Sequence, residues 1–243
     1  LPLEAKAALV ESSVIPKVLF DSSVTTMAKG KLKEWAGRIC RAIWGRTHGA
    51  RCQEIVFTLF CRGLACDPGQ AKACRAMFST MRMLGRYPHL RPMFKENLQL
   101  RQEGRVQVTH GPAAQLLWTL RKCPGWDFDS EGFALRIPGG EEFSAGNHDG
   151  ELLAHELREA LRANRWNEAA HRRSDMQGIE LCGVDRECTL AHLTSLKIPS
   201  ERRLMQAILA GGLKTRERAH KRKQADSPAC PWCNVFGQSP VES

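Results

Sequence analysis

The sequence predicts a mainly α fold: a basic helical bundle followed by a second helical subdomain that carries a small β-hairpin. Three observations predict it. Apolar residues recur at helical spacing from Lys31 to Trp44, and Asp67-Pro68 opens a second long amphipathic run. Residues 126–147 then switch to Gly, Pro and acids around one short strand-like segment.

Leu3 to Phe20 is apolar-rich but interrupted by Pro16, which fits two short helices or a helix and an extended turn. From Lys31, the residues Leu32, Trp35, Ala36, Ile39, Cys40, Ile43 and Trp44 mark the apolar positions of a helix. Lys31, Lys33, Arg38 and Arg41 lie between them, and Gly45 stands where a C-terminal cap would. Gln53 to Cys61 reads as a short helix carrying Ile55, Val56, Leu59 and Phe60. Asp67 offers a side-chain cap and Pro68 a first-turn residue that needs no N–H. The helix they open runs to about Gly85 and buries Ala73, Met77, Met81 and Leu84. Pro88 to Leu100 and Pro112 to Lys122 add two more, the latter with Leu116, Leu117 and Leu120.

Phe133 to Ile137 is the strand candidate, in a hairpin ending at Gly139-Gly140. Helix returns from Asp149 to Trp166, with Leu152, Leu153, Leu157 and Leu161 on one face. Glu187 to Leu196 and Ser200 to Leu209 follow, with Ser200 as the expected cap, and Gly211-Gly212 breaks the chain. The sequence has neither an internal repeat nor a low-complexity stretch.

The formal charge of +10 over 243 residues is unevenly spread. Residues 1–122 hold 20 Lys/Arg against 8 Asp/Glu, residues 123–213 hold 10 against 15, and residues 214–243 hold 6 against 3. These blocks are the expected domains: a basic helical region, a mildly acidic helical connector and a basic tail. Basic surface concentrates polyanions, so nucleic acid is the leading partner class, against a merely solvated surface. No stretch reaches the ~18 consecutive apolar residues of a membrane span. No secretory signal precedes the first helix, so the expected compartment is nuclear or cytoplasmic. Leu1 replaces an initiator Met, and the chain is expected to be a piece of a larger protein. Eight of the ten cysteines are scattered singly and are expected to be reduced and buried, Cys40, Cys61 and Cys74 in places a small apolar residue would fill.

The strongest local signal is the run from Lys214 to Lys223. Lys214, Arg216, Arg218, Lys221, Arg222 and Lys223 face a single acid, Glu217. Cations at this density suit phosphates, and they position rather than read sequence. Cys230-Pro-Trp-Cys233 follows at the spacing that lets two thiolates share a zinc ion. A closed zinc site needs four ligands, and only His220, upstream, offers a third. A redox dithiol and a pair of buried structural thiols are the alternatives. Catalytic patterns such as a Gly-rich phosphate loop, His-Glu-x-x-His and Gly-x-Ser-x-Gly are absent. The pairs Asp127/Asp129 and Glu141/Glu142 could bind magnesium but are expected to be solvated loop acids. His155 and His171 are expected to be surface or satisfied core histidines.

Several segments resemble the reverse transcriptases of non-LTR (LINE-type) retroelements. Leu1-Pro-Leu-Glu-Ala-Lys6 and Val14-Ile-Pro-Lys-Val-Leu-Phe20 are similar to the stretch that leaves the polymerase palm and builds the helical thumb. Ala42 to Gly45, Arg51 to Leu59 and Asp67 to Ala71 continue the likeness. Ile208 to Arg216, then Asp226 to Cys233, resemble the lead-in to the family's C-terminal zinc knuckle.

The resemblance implies a thumb-like bundle and an incomplete zinc knuckle with Cys230 and Cys233 as its first two ligands. Glu242-Ser243 would fall just before the next, a His. The catalytic aspartates and their magnesium would belong to a palm ahead of Leu1, so this chain is expected to hold no catalytic centre. Its expected partners are RNA, DNA or RNA–DNA hybrid, and the palm of the parent RNA-directed DNA polymerase. Lys29, Lys31, Lys33, Arg38 and Arg41 are the expected grip on the duplex, assisted by the tail cations. A helical scaffold whose basic faces meet acidic proteins is the alternative.

Overall fold

A computed structural model describes residues 1–45, 51–61, 65–106, 110–147, 149–212, 216–221 and 223–228. Among them the chain is mainly helical, with one small antiparallel sheet. None of the described helices is long and apolar enough to cross a membrane.

The chain opens as one helical path: α1 (Leu3–Leu9), a π-turn (Val10–Val14) and α2 (Ile15–Val18). Ala7, Val10, Ile15 and Leu19 are buried. The five-residue step from Val10 to Ile15 matches the wider i→i+5 turn, which keeps Ile15 on the inward face. Pro16 falls where the π-turn passes into α2, and the widened turn accommodates the hydrogen bond it cannot make, so the path stays helical.

The next helix, α3 (Lys29–Trp44), buries Leu32, Ala36, Ile39, Cys40 and Ile43. It ends as expected at Gly45, whose φ of 98° strongly favours glycine and whose N–H bonds to the Arg41 carbonyl at 2.9 Å. A short α4 (Gln53–Ile55) runs into a second π-turn (Val56–Phe60) that is buried all round. Together with Leu193 and Ala210 from later in the chain, these elements enclose a first core.

A second core lies behind α5 (Pro68–Arg86), α6 (Arg91–Gln102) and α7 (Pro112–Leu120). Asp67 caps α5 as predicted, its Oδ1 accepting the Gly69 and Gln70 N–H groups at 2.8 and 3.3 Å. The expected hairpin is a three-stranded meander: β1 (Asp127–Asp129), β2 (Ala134–Arg136) and β3 (Glu142–Ser144). Phe128, Leu135 and Phe143 pair across it and all point into the second core. With three residues per strand, each contributes one inward side chain, too few to show alternation in sequence. This core draws on residues from 73 to 161 and so includes both sides of position 122.

Asp149 caps α8 (Gly150–Arg172), which runs six residues beyond the expected Trp166. Leu153, Leu157 and Leu161 enter the second core, whereas Ala169 belongs to the first. Leu152 is 40% exposed rather than on the buried face. A one-turn 3-10 helix (Ser174–Met176) and α9 (Ile179–Cys182) lead to α10 (Arg186–Ser195), α11 (Pro199–Leu209) and α12 (Arg216–Lys221). Ser200 is not the cap of α11: Pro199 takes the first helical position, which makes the extended Ile198 the cap residue. Of the eight cysteines described, Cys182 and Cys188 are exposed; Cys40, Cys52, Cys61, Cys66 and Cys123 are buried and Cys74 half-buried. All eight are free thiols.

Candidate nucleic-acid interface

The burial of one stripe on α3 fixes what the opposite stripe presents. Lys29, Lys31, Lys33, Arg38 and Arg41 are all exposed. Lys31, Trp35, Arg38 and Ala42 follow one another at i, i+4, i+7 and i+11; Gly30, Glu34, Gly37 and Arg41 form the neighbouring row. Glu34 is the helix's one acid and pairs with Arg38 at 2.6 Å. Both side chains are at least half exposed, so the pair contributes little and does not hide the charge. The Lys31 ammonium lies 5.7 Å from the Trp35 ring centre, leaning on an aromatic surface.

Two further features mark this face. A Cβ added to Gly30 or Gly37 would meet nothing within 4 Å, so the described fold does not need glycine there for packing. Each costs a helix roughly 1 kcal/mol relative to alanine, and each leaves backbone uncovered for close approach. The N-terminus of α3 also lacks a side-chain cap and has no acid in its first turn. Lys29 and Lys31 therefore add to the positive end of the helix dipole instead of balancing it.

The tail residues are placed less fully. Arg216, Arg218 and Lys221 fall within α12, with Arg216 exposed, and Lys223 is exposed just beyond it. Lys214 and Arg222, and the metal candidates Cys230 and Cys233, lie outside the described residues. His220 is exposed and its Nδ1 lies 3.0 Å from the Ala225 carbonyl, a local turn contact. Among the described residues no group of three or more His, Cys, Asp and Glu could hold a metal.

One acid of each pair, Asp129 and Glu142, has structural work. Asp129 accepts the Glu131 N–H at 2.8 Å and the Arg136 guanidinium at 2.6 Å, and Arg136 reaches Glu142 at 3.4 Å, a charge ladder across the sheet. Glu141 is exposed at the hairpin. His155 and His171 are exposed on α8, His171 within 2.8 Å of the Asn167 carbonyl.

Not every cation of the basic block faces solvent. Lys72 is 1% exposed, donates to Gln115 Oε1 at 2.7 Å and lies 4.4 Å from the Trp118 ring centre. Lys122 approaches the same ring at 3.9 Å. Burial, then the charge of Arg165, pushes the Lys122 ammonium down to about 8. Arg165 itself donates through Nε and Nη2 to the buried Asp67, at 2.8 and 2.6 Å, and also pairs with Glu168. Trp118 packs against both cores, so this cluster is part of the joint between them. Its one sequence signal is spacing, since Lys72, Ala76 and Thr80 share a buried row of α5.

Comparison with protein-family models, with curated proteins and with solved structures finds no match to the chain.

Proposed function

We propose that this chain is a nucleic-acid-binding, thumb-like region of an RNA-directed DNA polymerase of the non-LTR type, gripping a primer–template or target duplex. The polymerising aspartates and their magnesium would belong to a palm outside it. The carrying observation is the open face of α3, where Lys31, Arg38 and Arg41 are exposed beside a single acid and the side-chain positions of Gly30 and Gly37 are empty, with Lys29 and Lys33 exposed near the helix start. Lys31, Arg38 and Arg41 would meet phosphates, and the bare backbone at Gly30 and Gly37 would let a groove edge come close. Contacts of this kind hold the duplex in place without reading its sequence. The tail cations Arg216, Arg218, Lys221 and Lys223, followed by Cys230 and Cys233 as half of a zinc site, would extend the same grip.

The test is binding of an RNA–DNA hybrid by the 243-residue chain across a salt series. Each phosphate contact contributes roughly 0.7–0.9 to the slope of log affinity against log salt. Replacing Lys31, Arg38 and Arg41 together by Gln should flatten that slope by about 2 to 3 and weaken all sequences alike. Absence of binding at low salt, or an unchanged slope in the triple variant, would sink the proposal.

One observation favours a protein partner instead. Leu181, Ile198, Leu204 and Ile208 are 84, 51, 56 and 41% exposed in the C-terminal segments, and large apolar side chains left in solvent are of the sort protein contacts cover. On that reading a polyglutamate peptide should displace a fluorescent probe from the basic face better than the hybrid does.

A further inference from the structure

A second cationic feature lies away from the open face of α3. A cleft of about 470 Å³ opens where α1, the end of α3, the segment before α4 and α11 converge. Lys6 comes from α1, Trp44 from the last turn of α3, Arg51 from the approach to α4, and Arg203 and Gln206 from α11. The arrangement is held by backbone: the Cys52 N–H bonds to the Ala210 carbonyl at 2.7 Å, which ties the chain beside Arg51 to the end of α11. Arg173 donates to the Gly211 carbonyl at 2.7 Å and fixes the same turn.

Among the described residues none that lines the cleft is acidic, and Lys6, Arg51 and Arg203 form no ion pair. Arg51 gives one donor to the Gly45 carbonyl at 3.3 Å and also bonds the buried Cys40 thiol, out of the five donors a guanidinium carries. Cations that line one concavity and have no acid among them favour an anion there. Trp44, half-buried and set 5.2 Å from Phe60, gives the cleft an aromatic wall beside the cations. Cations next to an aromatic surface match a phosphate joined to a flat base. The volume lies within the roughly 300–1,000 Å³ of sites for small ligands.

We infer that this cleft binds a nucleoside phosphate, its phosphate on Lys6, Arg51 and Arg203 and its base against Trp44. The nucleotide is either free or one unit of a single strand, and only the strand form rests on the nucleic-acid reading above. The site is separate from the phosphate contacts assigned to α3, so the two can fail independently.

Calorimetric titration of the full chain with AMP, adenosine and ribose 5-phosphate tests it. AMP should bind, and adenosine and ribose 5-phosphate should each bind at least roughly tenfold more weakly, because each lacks one of the two contacts. Arg203→Gln and Lys6→Gln should each weaken AMP roughly tenfold, with an unchanged unfolding midpoint, while Arg203→Lys retains most of the affinity. A Lys31/Arg38 double variant, which leaves Arg41 beside Trp44 in place, should bind AMP as the parent does. No AMP binding, equal binding of adenosine and AMP, or indifference to both Arg203→Gln and Lys6→Gln would overturn the site, whatever α3 does with a hybrid. Conversely, intact AMP binding beside an unchanged salt slope in the triple variant would keep the cleft and sink the duplex interface. A 5′-phosphorylated oligothymidylate that displaces AMP identifies the strand as the source; AMP binding without such displacement identifies the free nucleotide.

Discussion

Asp67 carries two jobs on one buried carboxylate, and removing it gives a loss that can be apportioned. Its Oδ1 caps α5 through two N–H groups, and its Oδ2 receives Arg165 at 2.8 and 2.6 Å. Losing a helix cap costs about 1 kcal/mol, and removing one partner of a buried ion pair costs about 3–5 kcal/mol. Arg165 keeps its pair with Glu168, which is 45% exposed, so the lower end of that range applies. Asp67→Ala should therefore lose about 4 kcal/mol, a large part of the roughly 5–15 kcal/mol that holds a domain together. Asp67→Asn keeps a capping oxygen and loses the charge, for about 3 kcal/mol. Adding Arg165→Met to Asp67→Asn should recover most of that, since no charge is then left buried without its partner. Urea unfolding followed by circular dichroism measures all four species, with the slope checked for constancy. A loss below about 1 kcal/mol in Asp67→Ala, or no recovery in the double variant, would refute the assignment.

Lys122 gives a pH signature. Its folded value of about 8 lies below the ordinary 10.5, so between those values the unfolded chain binds more protons and stability rises with pH. The full penalty, up to roughly 3 kcal/mol, stands below about pH 8. Lys122→Met should be the more stable protein at about pH 7 and lose its advantage by about pH 10.5, and a gap independent of pH would contradict this. On α3, Gly30→Ala and Gly37→Ala should each stabilise by up to about 1 kcal/mol, whereas Gly37→Leu should weaken hybrid binding; equal binding by Gly37→Leu would show that nothing approaches the backbone there. Gly85→Ala, whose Cβ would lie 2.5 Å from Gly146 Cα, should cost about 1–3 kcal/mol in thermal or urea unfolding. In native-state alkylation read by mass spectrometry, Cys182 should react before Cys188, whose thiol is held up by its hydrogen bond to Asp185, and both before the six less exposed thiols described. Prior labelling of Cys52 or Cys123 would count against the burial assigned to them.

The long elements were readable because their period repeats. On α3 and α5 the apolar spacing, the Asp67 cap and the Gly45 stop all agree, and the structure follows them. The last turns of α8 were not readable: 164–168 are mostly polar, and the buried Ala169 and Ala170 are too small to register as a core stripe. The strand β1 hid inside an acid pair because Phe128 alone faces inward. Charge counting overstated the basic surface, since nothing in a local window says that Lys72 and Lys122 close over Trp118. The cleft of Lys6, Arg51 and Arg203 depends on distant segments meeting, which no spacing in the sequence encodes. Conversely, Lys31, Arg38 and Arg41 are exposed because they lie off the apolar stripe, and there pattern alone decides, whereas Lys29 and Lys33 share the row of the buried Ala36 and Cys40 and are exposed near the helix start.

The 23 residues of α8 make a rod of roughly 35 Å at the usual helical rise. Its first half is embedded in one core and its last turns in the other. Neither core can melt alone without tearing half of that rod from its bed, so the two should open as a single cooperative unit. Amides in the middle of α8 should then exchange with solvent only through global unfolding. Mechanically, a load applied to α3 would reach this rod through α4 and α5 and be shared between both cores.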